Sequence, residues 1–185
     1  MNVQALYVDP ARGPYAALLG AENCWGVERD AKMYGGPGPV VAHPPCGPWG
    51  KLRWNCRHQD PTCGPVAVAQ VRAYGGVLEH PDGSMLWRHC GLPRPSSSVP
   101  MIAGREWSLA VDQCAWGHLA RKRTWLFFVG ISPANLPPLP PPGVPTMTIG
   151  TSRNARRGKK CLPKTLRHIT PPLFAEWLVR SLEAA

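Results

Sequence analysis

Short apolar runs alternate with helix-like segments along this chain, and the alternation constrains it to an α/β fold. The runs occupy residues 4–8, 24–28, 40–43 and 77–79, and segments 15–19 and 64–74 have helical character. Because strands separated by helices pair in parallel, the pattern predicts βα units and a mostly parallel sheet. Two later runs, 108–112 and 124–130, predict strands that pair as a hairpin.

The chain of 185 residues is long enough to bury one core, and we divide it into three parts. An α/β domain spans residues 1–131, a proline-rich arm and basic segment span 132–168, and a closing helix spans 169–185. Residues 132–145 hold too many prolines for a helix or strand. We expect Thr170 to cap the closing helix and Pro171 to open it. Its apolar stripe consists of Leu173, Phe174, Trp177, Leu178 and Leu182.

The net charge of +10 indicates an anionic partner, and nucleic acid is the first candidate. Much of this charge lies in residues 151–168, which contain seven Lys and Arg and no Asp or Glu. Such a run can also be a solvated surface. Five of its residues have the density that suits phosphate contacts rather than base edges. These phosphate-contact residues are Arg153, Arg156, Arg157, Lys159 and Lys160.

Seven cysteines without a secretory signal indicate a reducing compartment, so we expect free thiols and a cytoplasmic location. The opening residues, MNVQALYVDP, lack the basic start and long apolar run of a signal peptide, and no run reaches membrane-spanning length. Cys56, His58 and Cys63, with His89 and Cys90, raise the alternative of a zinc site. Their Cys-x6-Cys spacing is irregular for zinc, and we predict no metal.

The apolar runs lead to residues that can share one chemical site. Asp9 follows the first run, Glu28 ends the second, Cys46 follows the third within HPPC, and Glu79 ends the fourth. Because the carboxyl ends of parallel strands meet at one edge of a sheet, these residues are expected to face one crevice. A carboxylate there can bind ribose hydroxyls, which favours a nucleoside cofactor. A cysteine in a rigid Pro-Pro loop is a candidate nucleophile.

This ordered set resembles the DNA cytosine-5 methyltransferase family. The loop at Pro45-Cys46 is similar to the family's Pro-Cys loop, and Glu79-His80-Pro81 is similar to its Glu-Asn-Val motif. The resemblance runs from about residue 6 to 179 and implies a compact Rossmann-like methyltransferase fold. In its shortness the chain looks most like the relatives carried by bacteriophages, which would place it in the host cytoplasm.

Two further segments resemble the family's cofactor motifs. Asp9 and Gly13 match the Asp-Leu-Phe-x-Gly-x-Gly motif, in which Tyr15 stands where the second glycine belongs. In GAENCWGVERD, Glu28 takes the ribose position and Arg29 the position of a side chain that stacks on adenine. The resemblance therefore implies S-adenosylmethionine as cofactor.

The implied activity is methyl transfer to position 5 of cytosine in DNA. The Cys46 thiolate would add to position 6 of the ring, and Glu79 in its acid form, its pKa raised by an apolar pocket, would donate to ring N3. Arg121 and Arg123 match the arginines of the family's Gln-x-Arg-x-Arg segment and would hold the oxygen at position 2 or a phosphate. Trp49 is expected to line the base pocket, into which duplex DNA must flip its nucleotide.

Two departures from the family pattern leave alternatives open. Only about 18 residues separate Glu28 from Cys46, so the family's third cofactor strand is shortened or missing. Fewer than 50 residues separate Arg123 from the closing helix, where the family has a target-recognition domain. The chain could act on single strands, bind through phosphates alone or need a specificity partner. It could also use another donor, act on nucleotides, or be a non-catalytic DNA-binding protein.

Overall fold

The computed structural model describes residues 2–56, 59–99, 104–150 and 160–183 of the chain. Its strands are β1 (Gln4–Leu6), β2 (Cys24–Trp25), β3 (Val40–Ala42), β4 (Gly76–Pro81), β5 (Glu106–Asp112), β6 (Arg123–Val129), β7 (Met147–Thr148) and β8 (Lys160–Cys161). Its α-helices are α1 (Pro14–Leu19), α2 (Cys63–Tyr74), α3 (Met85–His89) and α4 (Pro172–Glu183).

A six-stranded sheet forms the centre of the molecule, in the order β2-β1-β3-β4-β6-β5. β1 pairs in parallel with β2 and β3, and β3 with β4, whereas β6 lies antiparallel between β4 and β5. The predicted α/β fold with a mostly parallel sheet is confirmed, as is the predicted pairing of β5 with β6. Chain order reverses between β1 and β3, which makes this the topological switch point where open α/β sheets bind ligands.

Side chains alternate between the two faces of the sheet, and each face has its own core. Val41 and Val77 pack with α1 and α4 on one face, whereas Leu6 and Leu78 pack with α2 and α3 on the other. This alternation follows from the two-residue period of a strand. Burying each such side chain contributes about 1.5–3 kcal/mol, so the two cores fix the strand ends on which a site can be built.

The closing helix begins one residue later than predicted, at Pro172, with Pro171 accepting its first backbone hydrogen bonds. Phe174 and three later apolar residues of the predicted stripe are buried, but Leu173 is 61% exposed. Including Leu173 in the buried stripe was wrong, because consecutive side chains of a helix point about 100° apart around its axis.

The proline-rich arm is extended and lies against the domain. The indole nitrogen of Trp177 donates to the carbonyl oxygen of Pro137 at 3.1 Å, and Leu136 packs against the core. Farther along, the backbone nitrogen of Met147 donates to the carbonyl oxygen of Leu119 at 2.8 Å. Lys160, the first residue of β8, is exposed. The other phosphate-contact residues, Arg153, Arg156, Arg157 and Lys159, lie outside the described residues.

The seven cysteines all lie within the described ranges, and none of them forms a disulfide. Within the same ranges, no three or more His, Cys, Asp or Glu side chains group closely enough to bind a metal ion. None of the helices in those parts of the chain is long and apolar enough to cross a membrane.

Candidate active site

A cleft of about 1650 Å³ opens at the carboxyl ends of β1, β3 and β4. Its walls are the loop after β1, the Pro-Pro-Cys loop after β3, the end of β4 and residues 121–123 at the start of β6. Residues between 145 and 149 in the arm, and 167–170 before α4, form another wall. The cleft therefore lies at the topological switch point, where the fold is expected to bind a ligand.

A chain of hydrogen bonds lies beneath the cleft. The Tyr15 hydroxyl is 2.6 Å from Nε2 of His43, and Nδ1 of His43 is 3.1 Å from Oε2 of Glu79. Gln113 donates from Nε2 to Oε1 of Glu79 at 3.1 Å and to Oγ1 of Thr124 at 2.9 Å. Both carboxylate oxygens of Glu79 therefore have a hydrogen-bond partner.

Glu79 is an ionised carboxylate in this setting. Burial raises its pKa, but the hydrogen bond and charge interaction with His43, together with the charge of Lys122, outweigh burial and lower the pKa to about 2. The expectation of a raised pKa was wrong, because polar partners and not an apolar pocket surround the carboxylate. At neutral pH Glu79 accepts hydrogen bonds and has no proton to donate.

Two further histidines, His80 and His118, have hydrogen-bond partners outside this chain of hydrogen bonds. Nδ1 of His80 lies 2.7 Å from the Ser84 hydroxyl, and burial lowers the pKa of His80 to about 4. Nδ1 of His118 lies 2.7 Å from the carbonyl oxygen of Ala120. Only His43 among these three joins the hydrogen-bond chain under the cleft.

Cys46 lines the cleft at the end of the Pro-Pro loop. Its side chain is exposed, and its carbonyl oxygen accepts a hydrogen bond from the backbone nitrogen of Gly50 at 2.8 Å. The next residue, Gly47, donates from its backbone nitrogen to Oε1 of Gln59 at 2.9 Å. Partial burial in the concave cleft, and then the charge of Glu79, raise the pKa of the thiol. The thiol is therefore protonated at neutral pH and must lose its proton when it attacks.

Lys122 is the cleft residue that sequence reasoning missed. Its ammonium group donates to the carbonyl oxygen of Ile169 at 3.0 Å, and burial lowers its pKa while the charges of Glu79 and Cys46 oppose that shift. Lys122 lines the same cleft as Glu79 and Cys46. Its backbone is in the left-handed region, with φ of 36°.

Arg121 and Arg123 also line the cleft, but both guanidinium groups pair with Asp112. Nε of Arg121 lies 2.9 Å from Oδ2 of Asp112, and a terminal nitrogen of Arg123 lies 3.5 Å from the same oxygen. The two predicted arginines are thus held by Asp112, whereas the lysine between them donates to the carbonyl oxygen of Ile169. No sequence motif separates Lys122 from its neighbours, because its direction depends on a left-handed backbone with φ of 36°.

The loop after β1 fits the predicted cofactor position. Asp9 and Gly13 both line the cleft, and the Asp9 side chain is exposed. Gly13 has φ of 98°, and no atom lies within 4 Å of where its Cβ would be, so a ligand can approach the backbone. Tyr15, which stands where the family has its second glycine, is buried and held by its hydrogen bond with His43.

The loop after β2 does not complete that site. Glu28 and Arg29 are exposed and are not among the described residues that line the cleft. The Arg29 guanidinium stacks 3.6 Å over the ring of Trp25 and donates to the carbonyl oxygen of Glu22. The residues predicted to contact ribose and adenine are therefore not brought to the cleft.

Trp49 is placed away from the cleft. It ends the 3₁₀ turn Gly47–Trp49, and its ring packs 4.8 Å from that of His89. A side chain at Gly64 would lie 2.7 Å from its indole nitrogen, so the ring is wedged against α2. Trp49 is therefore not among the residues that line the cleft, because the loop turns its ring toward the core.

No protein-family model matches the chain, and no curated protein matches it either.

Proposed function

We propose that this chain is an enzyme that modifies position 5 of a pyrimidine ring through covalent addition of Cys46 to position 6. The observation that carries the proposal is the placement of Cys46, Glu79 and Lys122 on the walls of one cleft at the switch point of the sheet. Each group has a role in this chemistry. The thiol is the nucleophile, and the carboxylate and ammonium groups orient the ring and balance the charge that develops on it.

The cleft also has the charge that a nucleotide substrate needs. Six Lys and Arg line it, against three Asp and Glu. The cations are Arg12, Lys51, Arg121, Lys122, Arg123 and Arg167. Positive clefts attract and orient phosphates, and the phosphate-contact residues of the basic segment would extend this field along a DNA strand. We therefore propose DNA as the partner, single-stranded or with the nucleotide flipped out.

S-adenosylmethionine is the donor that the resemblance implies, and we keep it in the proposal as the source of a methyl group. Gly13 and Asp9 would hold it, because they alone of the four predicted cofactor residues line the cleft. Glu28 and Arg29 would contribute little to its affinity. The Cys46 addition itself does not depend on which donor is used.

The test is release of tritium from a pyrimidine labelled at position 5. Addition of the thiolate at position 6 makes position 5 accept a proton from water, and reversal then releases tritium without any donor. We expect release that needs the wild-type cysteine and is abolished in Cys46→Ala.

A second arm uses oligonucleotides with a 5-fluoropyrimidine and S-adenosylmethionine. Because fluorine cannot leave as a proton would, group transfer should trap a complex that survives denaturation. DNA binding without tritium release or trapping would contradict the proposal and favour a non-catalytic DNA-binding protein. Cys46→Ala should bind DNA like the wild-type chain, since the thiol is remote from the basic segment in sequence.

A further inference from the structure

We infer that the pyrimidine this site takes carries a hydrogen on N3, as uracil does, rather than the bare N3 of cytosine. The inference rests on the proposed function, in which Glu79 contacts ring N3. It names the ring class and covers two sources of that ring, a deoxyuridine in DNA and a free uracil nucleotide.

The orientation of the Gln113 amide follows from its neighbours. The Thr124 hydroxyl donates to the carbonyl oxygen of Lys122 at 3.1 Å, because a carbonyl can only accept. Its oxygen is then free to accept the 2.9 Å bond from Nε2 of Gln113. The same nitrogen is 3.1 Å from Oε1 of Glu79, and Gln113 is fully buried. Gln113 therefore presents the NH₂ group of its amide, and not the amide oxygen, to Glu79.

Glu79 consequently receives donors from two sides. Gln113 donates to Oε1, and His43 faces Oε2 with Nδ1 at 3.1 Å. When His43 holds its proton on Nδ1, both oxygens have a donor, and this arrangement favours the ionised carboxylate over the acid. The side chain of Glu79 is 12% exposed and lines the cleft, so the remaining lone pairs of a carboxylate face an incoming ring.

Ring N3 must match those lone pairs. The N3–H of uracil donates to a carboxylate, whereas N3 of cytosine has a lone pair and would be repelled by it. Addition also shifts electrons in a way that favours uracil here. As the exposed thiol gives its proton to water and the S–C6 bond forms, the C5–C6 π electrons move through C4 onto O4, and the Lys122 ammonium in the same cleft would balance that charge. Cytosine would need a proton on N3 that ionised Glu79 does not hold.

The experiment compares tritium release from the two rings with no donor present. The substrates are matched single-stranded oligonucleotides with one [5-³H]deoxyuridine or one [5-³H]deoxycytidine, and the free labelled monophosphates. We expect the wild-type chain to release tritium from uracil at least about tenfold faster than from cytosine, since a lone-pair clash in place of a hydrogen bond costs at least that factor. Faster release from the oligonucleotide assigns the ring to DNA, and faster release from the monophosphate assigns it to a nucleotide.

Glu79→Gln is the specificity variant, because its amide can donate to a bare N3. We expect it to release tritium more slowly from uracil and to lose most of the preference between rings. Glu28→Gln is the matched control, since Glu28 lies outside the cleft, and it should keep the wild-type ratio. If Glu79→Gln does not fold by circular dichroism, the wild-type ratio decides.

Release from cytosine that equals or exceeds release from uracil would overturn the inference and leave the proposed function standing. Release from neither ring would remove the proposed function, and the inference with it.

Discussion

Replacing His43 with alanine tests the hydrogen-bond chain on which the site is built. The replacement leaves Glu79 buried without its main counter-group, because His43 is the largest contributor that opposes the effect of burial. In the wild-type chain the pKa of Glu79 is lowered from 4.5 to about 2. That depression corresponds to about 3 kcal/mol of folding free energy. Breaking a buried pair by removing one partner costs about the same.

The loss of stability in His43→Ala should depend on pH. A carboxyl group whose pKa is depressed by folding stabilises the protein above its unfolded pKa, and that stability is lost as the pH falls through the folded value. His43→Ala should therefore lower the free energy of unfolding by about 3 kcal/mol at pH 7, and its deficit should shrink to about 1 kcal/mol near pH 3. Urea titration followed by tryptophan fluorescence measures both values.

His43→Asn is the matched control, because its amide nitrogen can replace Nδ1 as a donor to Glu79. It should recover most of the stability at pH 7. The reasoning would be refuted if His43→Ala were destabilised by the same free energy at pH 3 as at pH 7. That result would mean that the packing of the imidazole ring, and not the charge of Glu79, accounts for the effect.

Three other changes test separate parts of the cleft. Lys122→Met should slow alkylation of Cys46 by iodoacetamide by roughly two- to tenfold, because removal of the cation raises the pKa of the thiol. Lys122→Arg keeps the cation and should leave the rate unchanged, and peptide mass spectrometry measures the alkylation rate in both variants. Gly13→Val should abolish the calorimetric heat of S-adenosylmethionine binding, since φ of 98° admits no branched side chain without strain, while Glu28→Ala should retain it. Alanine at the five phosphate-contact residues should weaken DNA binding equally for all sequences and reduce its salt slope by roughly one unit for each phosphate that is no longer neutralised, measured by fluorescence anisotropy at several salt concentrations.

The sheet could be predicted from the sequence because its signals are local. Apolar runs and turn residues repeat along the chain, and parallel strands place their carboxyl ends together. Cys46 and Glu79 line one cleft for that reason, since Cys46 follows β3 and Glu79 lies near the carboxyl end of the neighbouring β4. The prediction for Glu28 needed more than local pattern. β2 ends at Trp25 and residues 27–30 form a turn, so Glu28 lies beyond the strand and away from the cleft.

The hydrogen-bond chain could not be predicted because it depends on register. Ala42 lies opposite Leu78 across β3 and β4, so the next residues, His43 and Glu79, come side by side. A shift of one residue would send these side chains to opposite faces of the sheet. Gln113 reaches the same carboxylate from beyond β5, and no sequence motif marks it.

Glu79 joins the stability of the fold to the choice of ring. Its two oxygens receive donors from His43 and Gln113, which come from different parts of the sheet, and its exposed edge faces the cleft. An amide at this position has only one oxygen. Its NH₂ group must therefore face either Nδ1 of His43 or the side-chain NH₂ group of Gln113. Leaving a buried donor unsatisfied costs about 1–3 kcal/mol. Evolution toward a bare-N3 ring therefore requires an acceptor beside that NH₂ group, either His43 in the tautomer that holds its proton on Nε2 or a different residue at position 113.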